Sequence, residues 1–423
     1  MVFPYCHRCK GTKDLCGLGR CPLLDRVREA VEPFRVEGTS IEGPSPPSVF
    51  VGSYGYPKLS IGPLASPTPL PMPERLEKGE FLFSRRIDEI YSIRSLLIRG
   101  KHKVNVKLSS QPGSPASEPL YEIESALPWR SRKILDSVRE LALSARSVET
   151  EMLLTRDLRE VRGASVDAIT MPMGPSIEVK GVRVEENPKV PNPVERAVSD
   201  TDAGAVETAA ELYRSGIPLE HMVRLFSVGL LGEERRRKMV PTRWSITAVD
   251  DTISNNLKKT VLDLPPLDRY LLYSGSRFGN HFLVALFPPP FRFEMLEQWQ
   301  KGSLWGAGDI ITDHEGPRGR SGYASNITGA YYAARLAVLE FMERSGRCGG
   351  ASVIRWITDE YWAPLGVWVI RETLRRTLGT PPVELPDMKG LVEAVNGVCG
   401  MKGWRGKSRF LSGWEDSSLN RFL

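Results

Sequence analysis

Residues 234–256 read ERRRKMVPTRWSITAVDDTISNN, and the order of elements in this stretch decides which fold to expect. The helix-like run before Pro241 should stop there, because proline lacks an amide hydrogen and biases Val240 towards extended geometry. From Trp244 to Ala248 apolar residues alternate with Ser245 and Thr247, which is the period of a short strand with one buried face. Val249, Ile253, Leu257 and Val261 then recur every fourth residue, so a helix should follow and end before Pro265 and Pro266. A strand feeding a helix, in a chain without regular βαβ alternation, implies α+β: a mixed sheet core packed with helices.

Asp250 and Asp251 then fall at the strand-to-helix junction, where two roles suit them. One is to cap the free amides of the helix N-terminus. The other is catalytic, with Lys238 and Arg243 holding a phosphate-bearing ligand while the aspartates act through a metal or an activated water. The basic run Arg235, Arg236, Arg237 and Lys238, with Arg243 and the cations of 402–409, is expected to hold backbone phosphates if the ligand is a polyanion.

Upstream, the first residues read Cys6-x2-Cys9-x6-Cys16-x4-Cys21, four thiols that can close a tetrahedral shell around one structural zinc. Residues 1–24 are therefore expected to form a small zinc-binding knuckle. Nine prolines between Pro44 and Pro73 exclude a mainly helical segment. Within it, residues 48–64 suggest two short strands joined by a Gly-Tyr turn, either a simple turn or a nucleotide cradle lined by Ser53, Tyr54, Tyr56 and Lys58. The stretch 103–108 alternates as a strand, 130–154 carries a long helical pattern, and 193–198, 205–215 and 218–231 read as helices.

Downstream, Arg269–Ser274 and His281–Phe287 should pair as a hairpin with Arg277, Asn280 and His281 at its tip, and 291–300 has a helix-like order. The loop Asp313-His314-Glu315-Gly316-Pro317-Arg318-Gly319-Arg320-Ser321-Gly322 then runs towards a helix over 327–343. A glycine-rich loop with arginines, ending at a helix N-terminus, suits an anion; the alternative is a solvated loop. Arg318, Arg320 and Ser321 of the loop and Arg277 of the hairpin tip are candidate phosphate or nucleic-acid ligands, and His314 is a candidate proton-transfer group.

The last segment, 401–423, interleaves cations with aromatics and lacks a core-like period, so a flexible tail is expected. It ends Asp416-Ser417-Ser418-Leu419-Asn420-Arg421-Phe422-Leu423, where one helical turn puts Leu419, Phe422 and Leu423 together as an apolar plug, unless the tail folds back on its own domain. Between knuckle and tail lies a core over 25–400, either one domain or two subdomains near 25–230 and 231–400. Hydrophobic residues at 41% and charged residues at 26% are ordinary globular values, and the net charge of +6 leans mildly towards polyanions. With no membrane-length apolar run and no secretory pattern, a cytoplasmic protein without membrane contact is expected.

Three features coincide: the four-cysteine start, the segment Lys238-Met239-Val240-Pro241-Thr242-Arg243-Trp244 running on to Asp250-Asp251, and the ending Leu419-Asn420-Arg421-Phe422-Leu423. Together they resemble the archaeal Nre family of DNA repair proteins, and the resemblance covers the whole chain. It implies an amino-terminal zinc motif, nucleoid association, and recruitment to the PCNA sliding clamp through Asp416, Leu419, Phe422 and Leu423. Asp416 stands where such clamp motifs normally carry Gln, and an ionised carboxylate cannot donate an amide hydrogen bond. Two jobs for the large middle remain open: binding DNA, with Trp404 or Trp414 stacking on bases, or processing a mononucleotide, NAD or ADP-ribose type ligand.

Overall fold

The computed structural model describes residues 6–9, 13–21, 24–30, 37–106, 120–161, 169–301 and 305–412. They divide into two compact units, Val27–Ile253 and Met1–Arg26 with Ser254–Leu423. Each carries one mixed six-stranded sheet with helices, an α+β architecture. Among the described residues no helix is long and apolar enough to cross a membrane.

In the first unit the strands are β1 (Ser40–Ser45), β2 (Val49–Val51), β3 (Lys58–Ala65), β4 (Ile98–Asn105), β5 (Val148–Leu154) and β6 (Ser176–Val184). They line up in the order β1-β5-β6-β4-β3-β2, antiparallel except for β4 beside β6. The β2–β3 hairpin forms where the sequence places it, with Val49, Val51, Leu59 and Ile61 buried. Gly62 and Gly100 let β3 and β4 lie close, since a Cβ on Gly62 would stand 2.2 Å from the Gly100 carbonyl oxygen. The helix Trp129–Leu143 buries Ile134, Leu135, Val138 and Leu141, and is tied to the sheet where His102 Nε2 meets Ser131 Oγ at 2.9 Å and Ser137 Oγ donates to the Val182 carbonyl.

Two expectations for this unit are corrected. The helical pattern over 130–154 is a helix and then a strand. The break comes at Ser144, whose carbonyl accepts from Arg224 Nη2 and whose hydroxyl accepts from the Lys189 amide, fixing a corner from which β5 pairs with β1 and β6. The predicted strand Trp244–Ala248 is also helical, the first part of Thr242–Leu262. Pro241, Ser245, Val249, Ile253, Leu257 and Val261 are all buried while Trp244 is exposed, so the fourfold period reaches back to the proline. The apolar alternation that suggested a strand points the wrong way: Ser245 is the buried member and Trp244 the solvent-facing one. Asp250 and Asp251 are therefore mid-helix, away from its N-terminus.

The second unit holds β7 (Tyr270–Arg277), β8 (Asn280–Phe287), β9 (Arg292–Trp299), β10 (Ile310–Glu315), β11 (Gly350–Ile357) and β12 (Val383–Leu385), in the order β10-β9-β11-β8-β7-β12. Only β9 and β11 run parallel. Phe278 and Gly279, both with positive φ (55° and 71°), make the two-residue turn that suits a twisted hairpin. The helix-like reading of 291–300 is corrected to strand β9. It lies between β10 and β11 with Leu296 in the core on one face and Phe293 against Tyr331 on the other, so burial on both faces erases the alternation a half-exposed strand would show.

Residues 401–412, which composition assigns to the tail, are packed. Met401, Trp404 and Leu411 join Leu391, Val392 and Val395 of the helix Met388–Val398 in the core against β7, β8, β9 and β11. Glu294 of β9 holds them: its carboxylate accepts from Ser352 Oγ at 2.6 Å, from Ser408 Oγ and from the Arg409 amide at 2.7 Å. Trp404 is buried with Nε1 donating to Asn396 Oδ1, so its expected base stacking is lost.

Candidate functional site

The Gly-Arg loop and strand β10 line an open pocket of 560 Å³ in the second unit, together with Asn326, Arg409 and Phe410. Strand β10 sits at a sheet edge and pairs only with β9, which leaves Thr312 to Glu315 able to reach the loop that follows. That loop closes on itself through the Gly319 amide and the Gly316 carbonyl at 2.9 Å, with φ of 83° at Gly319. A side chain there would be strained, and its Cβ would come within 3.3 Å of Lys258 Nζ.

Internal charge pairs build the walls. Asp313 accepts Arg320 Nη2 at 3.1 Å on one oxygen and the amides of Asn326 and Ile327 on the other, fixing the approach to the helix Gly329–Ser345. Arg320 also donates to the carbonyls of His314, Gly322 and Tyr323. It acts as the brace of the loop, with its donors turned inward. Glu315 is fully buried between Lys258 Nζ at 3.0 Å and Arg335 Nη1 at 2.7 Å, and Arg335 also donates to Ser254 Oγ. Lys258 and Arg335 thus share Glu315, and Arg320 pairs with Asp313.

Of the two arginines lining the pocket, Arg409 is the exposed one. Its Nη1 donates to His314 Nε2 at 2.6 Å, which puts the imidazole proton on Nδ1. Burial first, then the Arg409 and Arg320 charges, hold the His314 imidazolium below the usual histidine range. His314 is therefore neutral at pH 7 and edge-on to the Phe410 ring. The arrangement sets an exposed guanidinium beside a neutral imidazole at the mouth of an open pocket.

The remaining candidates scatter. Ser321 lines the pocket, Arg318 is exposed on the same loop, and Arg277 lies at the β7–β8 turn with its guanidinium over Phe278. Lys238, Arg243, Asp250 and Asp251 belong to the first unit, so the three expected catalytic groups are divided between units. Asp250 is buried at 1% exposure. Arg237, from the expected phosphate-binding run, donates to the carbonyls of Gly232, Val198 and Asp200 and secures the end of the helix Asn192–Ser199. Arg409 is among the 402–409 cations expected to hold phosphates, but its placement with Phe410 beside His314 escaped sequence reasoning because no local signal marks it: Arg409 reaches His314 across 95 residues of chain.

Cys6 and Cys9 are buried one helical turn apart, Cys16 and Cys21 are half-buried, and none is in a disulfide. Among the described residues no three Cys, His, Asp or Glu side chains are gathered as a metal shell. The donor chemistry of four thiols suits zinc. Asp416, Leu419, Phe422, Leu423 and Trp414 lie outside the described residues.

Comparison with known proteins finds two matching family descriptions: archaeal Nre, N-terminal, over residues 15–306, and archaeal Nre, C-terminal, over residues 315–422. The protein named DNA repair protein NreA from Archaeoglobus fulgidus is 35% identical over 408 residues, covering 96% of each chain. The protein of that name from Haloferax volcanii is 33% identical over 384 residues, 89% of this chain and 87% of its own. DNA repair protein NreB from Archaeoglobus fulgidus is 33% identical over 394 residues, 92% of each. No solved structure matches.

Proposed function

The chain belongs to the archaeal Nre family, and from that premise we propose that it is a DNA repair protein brought to the PCNA sliding clamp by its segment 416–423. The observation that carries the repair role is the near-complete overlap with relatives named for it, 96% of each chain in the first comparison. The clamp role is supported by the apolar spacing of Leu419, Phe422 and Leu423. Deleting 419–423 should abolish retention on immobilised PCNA while leaving the melting temperature unchanged. Undiminished retention would remove the clamp from the proposal.

A second reading follows from the pocket: a ligand of the mononucleotide, NAD or ADP-ribose type, its phosphate on Arg409 and its reacting proton within reach of His314. AMP, NAD or ADP-ribose at about 100 times its Kd should stabilise the chain lacking only 419–423 by about 2.7 kcal/mol. Arg409→Ala should cancel that gain, and a variant that still responds in full sinks the assignment. The four-cysteine segment is proposed as a structural zinc site on its ligand chemistry alone.

A further inference from the structure

The register of the first sheet gathers cations that no sequence window brings together. Pairing of Lys58 with Asn105 and of Ser60 with Lys103 puts Lys58, Arg99, Lys101 and Lys103 on one face of β3–β4. The opposite face carries His102 and the buried Val104 and meets the helix Trp129–Leu143. At the Arg99 end the cationic face is covered: Leu64 packs with Leu76, Leu97 and Met173, and the Arg99 guanidinium lies 4.6 Å over the Phe50 ring. Beyond it Lys101 is half-buried and Lys103 and Lys58 are exposed. These charges crowd one another. Burial and then Arg99 hold the Lys101 ammonium below its ordinary range, Lys103 and Arg156 add to the effect, and Glu178 opposes it. Glu178 is 3.9 Å from Lys103.

The row ends at the β2–β3 hairpin, where three large aromatic side chains face solvent. Tyr54 is 96% exposed, Tyr56 37%, and Trp244 on the first turn of the helix Thr242–Leu262 49%. Tyr56 and Trp244 stand with ring centroids 6.1 Å apart, inclined at 48°. Their spacing is fixed from below, because the Val51 amide donates to Thr242 Oγ1 at 2.9 Å and so ties the hairpin to the helix start. A row of cations would be relieved by regularly spaced negative charge, and exposed aromatic faces by flat rings laid on them. A single nucleic-acid strand supplies both, whereas a duplex keeps its base faces stacked inside.

We propose that the open face of β3–β4 and the Tyr54, Tyr56 and Trp244 cluster form one track for single-stranded DNA, with phosphates along Lys101, Lys103 and Lys58 and bases on the rings. The track rests on the repair reading above, which chooses DNA over RNA. It replaces the expected basic run at 235–238 as the surface that meets the backbone.

The test uses the full chain and a fluorescein-labelled oligothymidylate of about two dozen nucleotides, with a duplex, an RNA strand and an abasic strand as competitors. Wild type should prefer the single DNA strand with bases over the duplex and the abasic strand. Substituting both Tyr54→Ala and Trp244→Ala should weaken binding about 5- to 150-fold for each base stack lost, without changing its salt dependence. Substituting Lys101→Gln and Lys103→Gln should instead lower the slope of log affinity against log salt by about 0.7 per lost phosphate contact. Unchanged affinity in both variants, equal competition by the abasic strand, stronger competition by RNA, or no binding by wild type overturns the track. Thermal melts confirm that the variants are folded. Retention on PCNA is read separately, so loss of the track leaves the clamp assignment standing.

Discussion

Glu315→Ala should cost the second unit about 3–5 kcal/mol, the penalty for leaving buried cations without their carboxylate. Glu315 is fully buried and shared by Lys258 and Arg335, both almost inaccessible, and Ser254 Oγ and the Gly316 carbonyl are neutral acceptors that do not replace its charge. Equilibrium denaturation should therefore show a lower midpoint for the transition of this unit. The pocket loop should loosen with it, because Lys258 holds the Gly316 carbonyl where the turn begins. Replacing Glu315, Lys258 and Arg335 together by apolar residues should recover much of the loss, since a buried ion cluster exchanged whole for well-packed side chains is often neutral. A single substitution costing under about 1 kcal/mol would show that water reaches the cations after all.

Acid should destabilise the first unit through His221. Burial, reinforced by the Arg224 charge, drives this imidazole down to about 3, while the carbonyls of Ala142 and Leu143 pull weakly the other way. Its folded value lies below the ordinary unfolded value near 6.5, so the native state favours the neutral ring. The stability it contributes is complete above about pH 6.5 and is lost as pH falls towards 3, at up to about 1.4 kcal/mol for each pH unit. His102, in the same unit, is also lowered by burial and by Arg130 and adds to this acid limb. A His221→Met chain should lose stability less steeply between pH 6 and 4, whatever its stability at pH 7. Superimposable acid limbs for the two chains would show that the ring is solvated or protonated in the folded state.

Much of the architecture is legible in local pattern. The β2–β3 and β7–β8 hairpins follow from short alternating runs around glycine turns, and the helices Asn192–Ser199, Ala205–Arg214 and Leu219–Ser227 fall where the periodicity puts them. The Gly-Arg loop is visible as a site because its glycines and arginines are neighbours in the chain. Failures occur where a partner from far away decides the conformation. Strand β9 reads as helix until β10 and β11 flank it, and Trp244–Ala248 reads as strand until Ser245 turns out to be the buried residue. Segment 401–412 looks like a loose tail until Glu294 of β9 supplies acceptors for Ser408 and Arg409.

The sequence by itself determined the α+β class and the family, and it marks out the cysteine cluster, the Gly-Arg loop and the terminal apolar residues as candidates. Each of these depends on residues adjacent or regularly spaced along the chain. Only the tertiary structure decided which cations are spent and which face solvent. Arg320 and Arg237 turn inward to carbonyls, Arg409 arrives at His314 from another segment, and Lys58 joins Lys101 and Lys103 through strand register. The physical reason is that a side chain's charge is known from its name, whereas its burial and partners are fixed only when distant strands pair.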